Sequence, residues 1–167
     1  NNTIQSNLNK IPIKLGNDIN FLDIGCRAHA AAVGFFAKNG CNSYGIDIGQ
    51  QAEDAWKADK LPYNLKRADV HDGIPFDVKF NIISISHTLE HCHTPELVVS
   101  HIYNALVPGG YVWGIVPIES IDADHAPHYC VFNTNQEHID IYQKNGFEIV
   151  WNSVDNNNNS NIWARKI

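Results

Sequence analysis

The stretch Asn20-Phe-Leu-Asp-Ile-Gly-Cys-Arg-Ala-His29 constrains the fold more than any other part of the chain. Phe21, Leu22 and Ile24 form a short apolar run of the kind found in parallel strands buried on both faces, and Gly25 ends it. The Ala-rich segment Ala28–Lys38 follows and reads as a helix closed by Asn39-Gly40. Strand, glycine turn and helix together open a nucleotide-binding βα unit, whose ligand sits beyond the C-terminal end of the strand. Asp23 interrupts the apolar run. A carboxylate at a buried strand end is costly unless a cation or a hydrogen-bond donor meets it. Asp23 therefore points to a ligand with a cationic or amide-rich part, or else to a cap for the next helix.

Downstream, strand and helix patterns alternate. Asn42–Ile48 reads as a second strand ending near Asp47, Gln50–Lys60 as a weak helix, and Asn64–Ala68 as a short third strand before Asp69-Val70. Lys79–Ser86 is rich in β-branched and apolar residues and is the clearest strand. Thr94–Leu106 reads as a helix with Thr94 as N-cap and Pro95 in its first turn, Leu97, Val98, Ile102 and Leu106 sharing a face. Pro108-Gly109-Gly110 turns the chain into a fifth strand, Tyr111–Val116. A helix over Asn135–Asn145 ends at Gly146, and Phe147–Trp151 and Asn161–Ile167 form an antiparallel pair around the polar loop Asn156–Asn159. Residues 1–19 read as a lead-in segment, partly helical and broken by Pro12, with one domain over residues 20–167. This alternation implies a mostly parallel sheet covered on both faces, with an antiparallel edge.

At 167 residues and 44% hydrophobic content the chain fits one domain with a full core. A net charge of −6 argues against sequence-independent binding to nucleic acid or to an anionic membrane. No apolar run approaches the ~20 residues of a membrane span. Cys26, Cys41, Cys92 and Cys130 are scattered without a CxxC pair, as expected of reduced thiols in a cytoplasmic protein. No signal peptide is seen, and an opening on Asn-Asn in place of Met marks a start that has lost residues.

Five segments in order resemble the small class I S-adenosylmethionine (SAM)-dependent methyltransferases, the methyltransferase-domain family. They are Phe-Leu-Asp-Ile-Gly-Cys (21–26), Tyr-Gly-Ile-Asp-Ile (44–48), Ala-Asp-Val (68–70), Phe-Asn-Ile-Ile-Ser-Ile-Ser-His-Thr-Leu-Glu-His (80–91) and Leu-Val-Pro-Gly-Gly-Tyr (106–111). The resemblance implies an α/β, Rossmann-like, doubly wound, mostly parallel seven-stranded sheet with an antiparallel C-terminal strand pair, and SAM as cofactor. It implies that Asp47 takes the ribose hydroxyls, with Ile48 beside it. It gives Asp69 the adenine amino group and the Val70 N–H a ring nitrogen. Asp23, Gly25, Cys26 and Arg27 would surround the methionine end, together with Ser86 and His87 at the end of the fourth strand.

The chain departs from the family in its first glycine loop. Of the glycines in GxGxG only Gly25 is present, with Arg27 and His29 at the next two places. Either Arg27 pairs with the SAM carboxylate, or the site is altered and the domain is a binding or assembly module without catalysis. The same loop disfavours a nicotinamide dehydrogenase, because Arg27 replaces the glycine that admits a pyrophosphate.

Nine histidines are many for this length. His87, His91, His93 and His101 lie near Cys92, while His125, His128 and Cys130 lie near Glu119, Asp122 and Asp124. With no HExxH or paired CxxC spacing, no metal is expected; a metal-dependent protein is the third reading. Pro117–Phe132 is a long loop over the ligand edge and a place for substrate specificity, with Tyr129 and Phe132 as pocket walls. Methyl transfer from a sulfonium is an in-line displacement, and an oxygen acceptor benefits from a base near pH 7. His128 and His87 are the candidate catalytic residues, with Glu119 or Asp122 as orienting acid. An Asn-Pro-Pro-Tyr or Asp-Pro-Pro-Tyr motif is absent, Ser86-His87-Thr88-Leu89 standing in its place. With the acidic charge, this favours a small-molecule acceptor such as a sugar or metabolite hydroxyl over a nucleic acid.

Overall fold

A computed structural model of the protein describes residues 2–119 and 128–167. Among them, seven strands form one sheet: β1 (Asn20–Ile24), β2 (Asn42–Asp47), β3 (Asn64–Arg67), β4 (Phe80–Ser86), β5 (Leu106–Pro117), β6 (Phe147–Val154) and β7 (Asn159–Lys166). Five helices accompany it: α1 (Asn2–Leu8), α2 (Ala31–Lys38), α3 (Gln50–Ala58), α4 (Pro95–Ala105) and α5 (Asn135–Lys144). The sheet order is β3-β2-β1-β4-β5-β7-β6. The first five strands are parallel, and β7 runs antiparallel between β5 and β6. This is the doubly wound, mostly parallel sheet with an antiparallel closing pair that the strand pattern predicts. The order reverses between β1 and β4, and such a switch point opens a crevice beyond the strands' C-terminal ends.

Alternation along the central strands fills both faces. On one face, Leu22, Ile24, Ile83, Ile85, Val112 and Ile162 pack with α4 and α5; on the other, Phe21, Ile82, Trp113 and Trp163 pack with α2 and the lead-in. Phe21 stacks on Phe36 with ring centres 3.6 Å apart, and Trp113 stacks on its cross-strand partner Trp163. Leu8 and Ile11 of the lead-in are buried in this second core.

Four local predictions are corrected. The helix predicted from Ala28 begins at Ala31, because Arg27 and Ala30 both adopt positive φ (57° and 43°) and wind the chain into a turn first. Thr94 stands at the N-cap of α4, but its carbonyl, not its side chain, accepts from Leu97 and Val98. The buried face of that helix is Val98, Val99, Ile102 and Ala105, while Leu97 is 43% exposed. Finally, β5 begins at Leu106, five residues before Tyr111. Leu106 already pairs with Phe80 and Tyr111 pairs with Ile82, so Pro108-Gly109-Gly110 bulges out within the strand instead of preceding it.

Candidate active site

The cleft at the switch point has a volume of about 510 Å³. Its floor is the turn after β1. Gly25 has φ +77°, and a Cβ there would stand 2.1 Å from Thr88 Oγ1, so the turn can pass under the β4 loop only as glycine. The next residues are held by neighbours. The Arg27 N–H donates to Asp47 Oδ2 at 2.9 Å, and its carbonyl accepts from Trp56 Nε1 at 2.8 Å. These two bonds fix the left-handed backbone of Arg27, a conformation that glycine would adopt without cost. Arg27 lines the cleft in the place of a family glycine.

Asp47 ends β2 and lies at the cleft wall, its carboxylate also accepting from the Gly49 N–H at 2.8 Å. Asp69 follows β3. Its Oδ1 accepts from the His71 N–H at 2.9 Å and faces His71 Nδ1 at 2.7 Å. The backbone bond from His71 is the main reason its carboxyl lies below the usual range, so it is an ionised acceptor. Gly25, Arg27, Asp47, Ile48, Asp69, Val70 and His87 all line this cleft.

Asp23, Cys26 and Ser86 are not among the lining residues. Asp23 lies behind them, 9% exposed, and takes a short hydrogen bond from the Ser84 hydroxyl on the neighbouring strand. Burial pushes its carboxyl up to about 7, against the lowering effect of Ser84, while the Asp47 charge raises it further. Cys26 is buried in the second core, where burial raises its thiol. Ser86 lies at the end of β4, its carbonyl accepting from the Thr88 hydroxyl at 3.2 Å.

A second group gathers at one end of the cleft. His87 has φ 50°, and its Nδ1 stands 3.5 Å from Glu90 Oε1. Glu90 is 2% exposed, and its Oε2 meets no hydrogen-bond donor among the described residues. The Glu90 carbonyl accepts from the N–H groups of Tyr129 and Cys130 at 2.9 and 3.0 Å. These bonds bring His128 to within 4.8 Å of His91, ring centre to ring centre. Glu119 Oε2 stands 2.7 Å from His128 Nδ1. Of the other residues weighed from the sequence, Tyr129 lines the cleft against His93, but Phe132 is buried in the core against His138. Asp122, Asp124 and His125 lie outside the described residues. His71 and Thr88 also line the cleft and were not singled out from the sequence. His71 had a signal, in that it sits two residues beyond a strand-end acid; Thr88 had none, since its part depends on β1 lying beside β4.

With this geometry in hand, a family model described as a methyltransferase domain matches residues 1–155. The chain belongs to the methyltransferase-domain family, and SAM is the methyl donor that goes with it. A SAM-dependent methyltransferase from Mesorhizobium loti superposes with a TM-score of 0.76 at 16% identity, covering 99% of this chain and 96% of that one. Magnesium protoporphyrin IX methyltransferase from Synechocystis, crystallised with S-adenosylhomocysteine, gives 0.71 at 13% identity over 99% of this chain and 81% of its own. The [4+2]-cyclase SpnF gives 0.74 at 16% identity over 91% and 76%. At such identities the likeness is one of fold. No curated protein sequence is similar enough to the chain to count as a relative.

Proposed function

We propose that the protein transfers the methyl group of SAM to an oxygen of a small molecule. The observation that carries this reading is that Asp47 and Asp69, at the ends of adjacent parallel strands, face one cleft that starts at Gly25. Two acceptors lining one cleft at neighbouring strand ends suit a nucleoside, the ribose hydroxyls on Asp47 and the adenine amino group on Asp69, with the Val70 N–H for the ring. Arg27 supplies a charge-assisted contact for the methionine carboxylate that the missing glycines would have met with backbone. Asp23, bonded to Ser84 and outside the cleft lining, supports the methionine end from behind the loop.

Positioning does most of the work of an in-line methyl transfer. The candidate bases are His87, which lines the cleft, and His128, which stands outside its lining beside His91. Glu119 Oε2, 2.7 Å from Nδ1, orients the His128 ring. The absence of an Asn-Pro-Pro-Tyr motif after β4 and the net charge of −6 favour a small hydroxyl substrate over a nucleic acid. No helix among the described residues is long and apolar enough to cross a membrane. All four cysteines are unpaired, which favours a reducing, cytoplasmic setting.

Calorimetric titration with SAM and with S-adenosylhomocysteine tests this first. Micromolar binding that falls at least tenfold in Asp47→Ala and in Asp69→Ala is expected. No heat and no thermal stabilisation at millimolar ligand would overturn it in favour of a module whose Arg27 loop shuts the cofactor out. Unchanged turnover of His128→Ala at saturating substrate would remove His128 as base, and the same holds for His87.

A further inference from the structure

Glu90 poses a problem that methyl transfer alone leaves open. Its carboxylate is 2% exposed, one oxygen stands 3.5 Å from His87 Nδ1, and the other meets no donor among the described residues. A buried carboxylate oxygen is costly unless a cation or a hydrogen-bond donor meets it, and an ion bound beside it would do so. Around it stand His91 and His128, one donor atom from each of the three lying within 4.8 Å of the others. Donors bound about 2.1 Å from a shared ion stand roughly 3–3.4 Å apart, so closure by an ångström or so is needed, within reach of side-chain rotation.

We propose that Glu90, His91 and His128 form a site for one first-row divalent transition-metal ion at the acceptor end of the cleft. The ligand chemistry selects this class of ion: two imidazoles and a carboxylate suit zinc, cobalt, iron or manganese, whereas magnesium and calcium take oxygen cages. Glu119 supplies the outer contact that ligating histidines have. With Nδ1–H of His128 donated to Glu119 at 2.7 Å, the ring's lone pair lies on Nε2. Three protein ligands leave coordination positions open, and His91 lines the cleft, so the ion would border the substrate space there.

The role of the ion rests on the methyl-transfer reading. It holds the acceptor oxygen and lowers the pKa of its hydroxyl. His128 is then a ligand, and His87 takes the hydroxyl proton. The S–CH3 bond of SAM breaks as the O–CH3 bond forms, giving S-adenosylhomocysteine, the methylated acceptor and a protonated His87 that loses its proton to water. The acceptor class narrows to oxygen donors able to chelate, such as vicinal hydroxyls or a hydroxyl beside a carbonyl.

The test is titration of untagged, EDTA-treated protein with Co2+, followed by visible absorption, and with Zn2+, followed by calorimetry. One ion per chain at micromolar or tighter Kd is expected. His91→Ala and Glu90→Gln lose at least a hundredfold in affinity, while the exposed His29→Ala keeps it. Near-UV circular dichroism checks that each variant is folded; His91, being exposed, keeps the test decisive should Glu90→Gln misfold. Weak multi-site binding, or equal affinity in wild type and His91→Ala, overturns the site. Metal binding lost in the variants while SAM still binds supports it. Metal binding without any SAM affinity keeps the site and overturns its role in holding an acceptor.

Discussion

Two residues set the chemistry of the cleft floor. Gly25 is required twice over, by its φ of +77° and by the approach of Thr88 Oγ1 to where a Cβ would be. Gly25→Ala should cost at least about 2 kcal/mol in a denaturant melt, and adding Thr88→Ala should recover part of it by removing the clash but not the backbone strain. Asp23 gives a pH signature of a definite sign. Burial raises its carboxyl from 3.8 to about 7, so between those values the folded chain binds a proton that the unfolded chain does not. Its stabilising effect is therefore complete below about pH 3.8 and is lost as pH rises through 7. Relative to Asp23→Asn, the wild type should lose about 2–3 kcal/mol between pH 5 and pH 7.5. A parallel pH profile for the two proteins would show that Asp23 ionises normally, held by charge or solvent that burial does not reveal.

At the scale of elements, the packing of α5 on β5 makes the opposite pH prediction. His138 is fully buried, its Nδ1 stands 2.7 Å from Ser160 Oγ, and that hydroxyl donates to Asn135. Burial lowers its pKa from 6.5 to about 3. The unfolded chain therefore binds the extra proton, and the stability His138 contributes is present above pH 6.5 and lost as pH falls toward 3. Between pH 7 and pH 5 the wild type should lose about 2 kcal/mol more than His138→Gln, read from melts at both pH values. Gly114 on β5 admits this pair. A Cβ there would stand 2.6 Å from Tyr142 Oη and 3.1 Å from His138 Nε2, so Gly114→Ala should cost about 1–3 kcal/mol by overpacking. These elements also show what a sequence conveys. The strand Phe80–Ser86 and the helix behind it were legible because β-branched residues cluster in one and an apolar face and Pro95 mark the other. The start of β5 was not, since Pro-Gly-Gly is turn chemistry whether it lies before a strand or bulges within one. Asp47 and Asp69 could be placed at strand ends from the strand pattern, and their roles from the resemblance. The meeting of Glu90, His91 and His128 could not, because it depends on Tyr129 and Cys130 bonding back to the Glu90 carbonyl across about forty residues.

The whole molecule is two apolar layers on one sheet, and the second layer is completed by residues that precede the first strand. Leu8 and Ile11 are buried against the sheet face that carries Phe21 and Trp163, in the same cluster as Phe36 of α2 and Cys26 of the turn after β1. Residues 1–19 read from the sequence as a lead-in, because their apolar positions are sparse and Pro12 interrupts them. The burial of Ile11, at 7% exposure, supports treating them as part of the folding unit. Ile11→Ala should therefore destabilise the whole protein by about 2–5 kcal/mol in a single cooperative transition, the cost of a core truncation. It should leave the affinity for S-adenosylhomocysteine unchanged, since Ile11 is not among the residues lining the cleft. Saturating ligand at about a hundred times its Kd should then restore about 2.7 kcal/mol, seen as a rise of a few degrees in Tm for wild type and variant alike. A melt for Ile11→Ala that matches wild type would mean that the segment is an appendage resting on a core already complete without it.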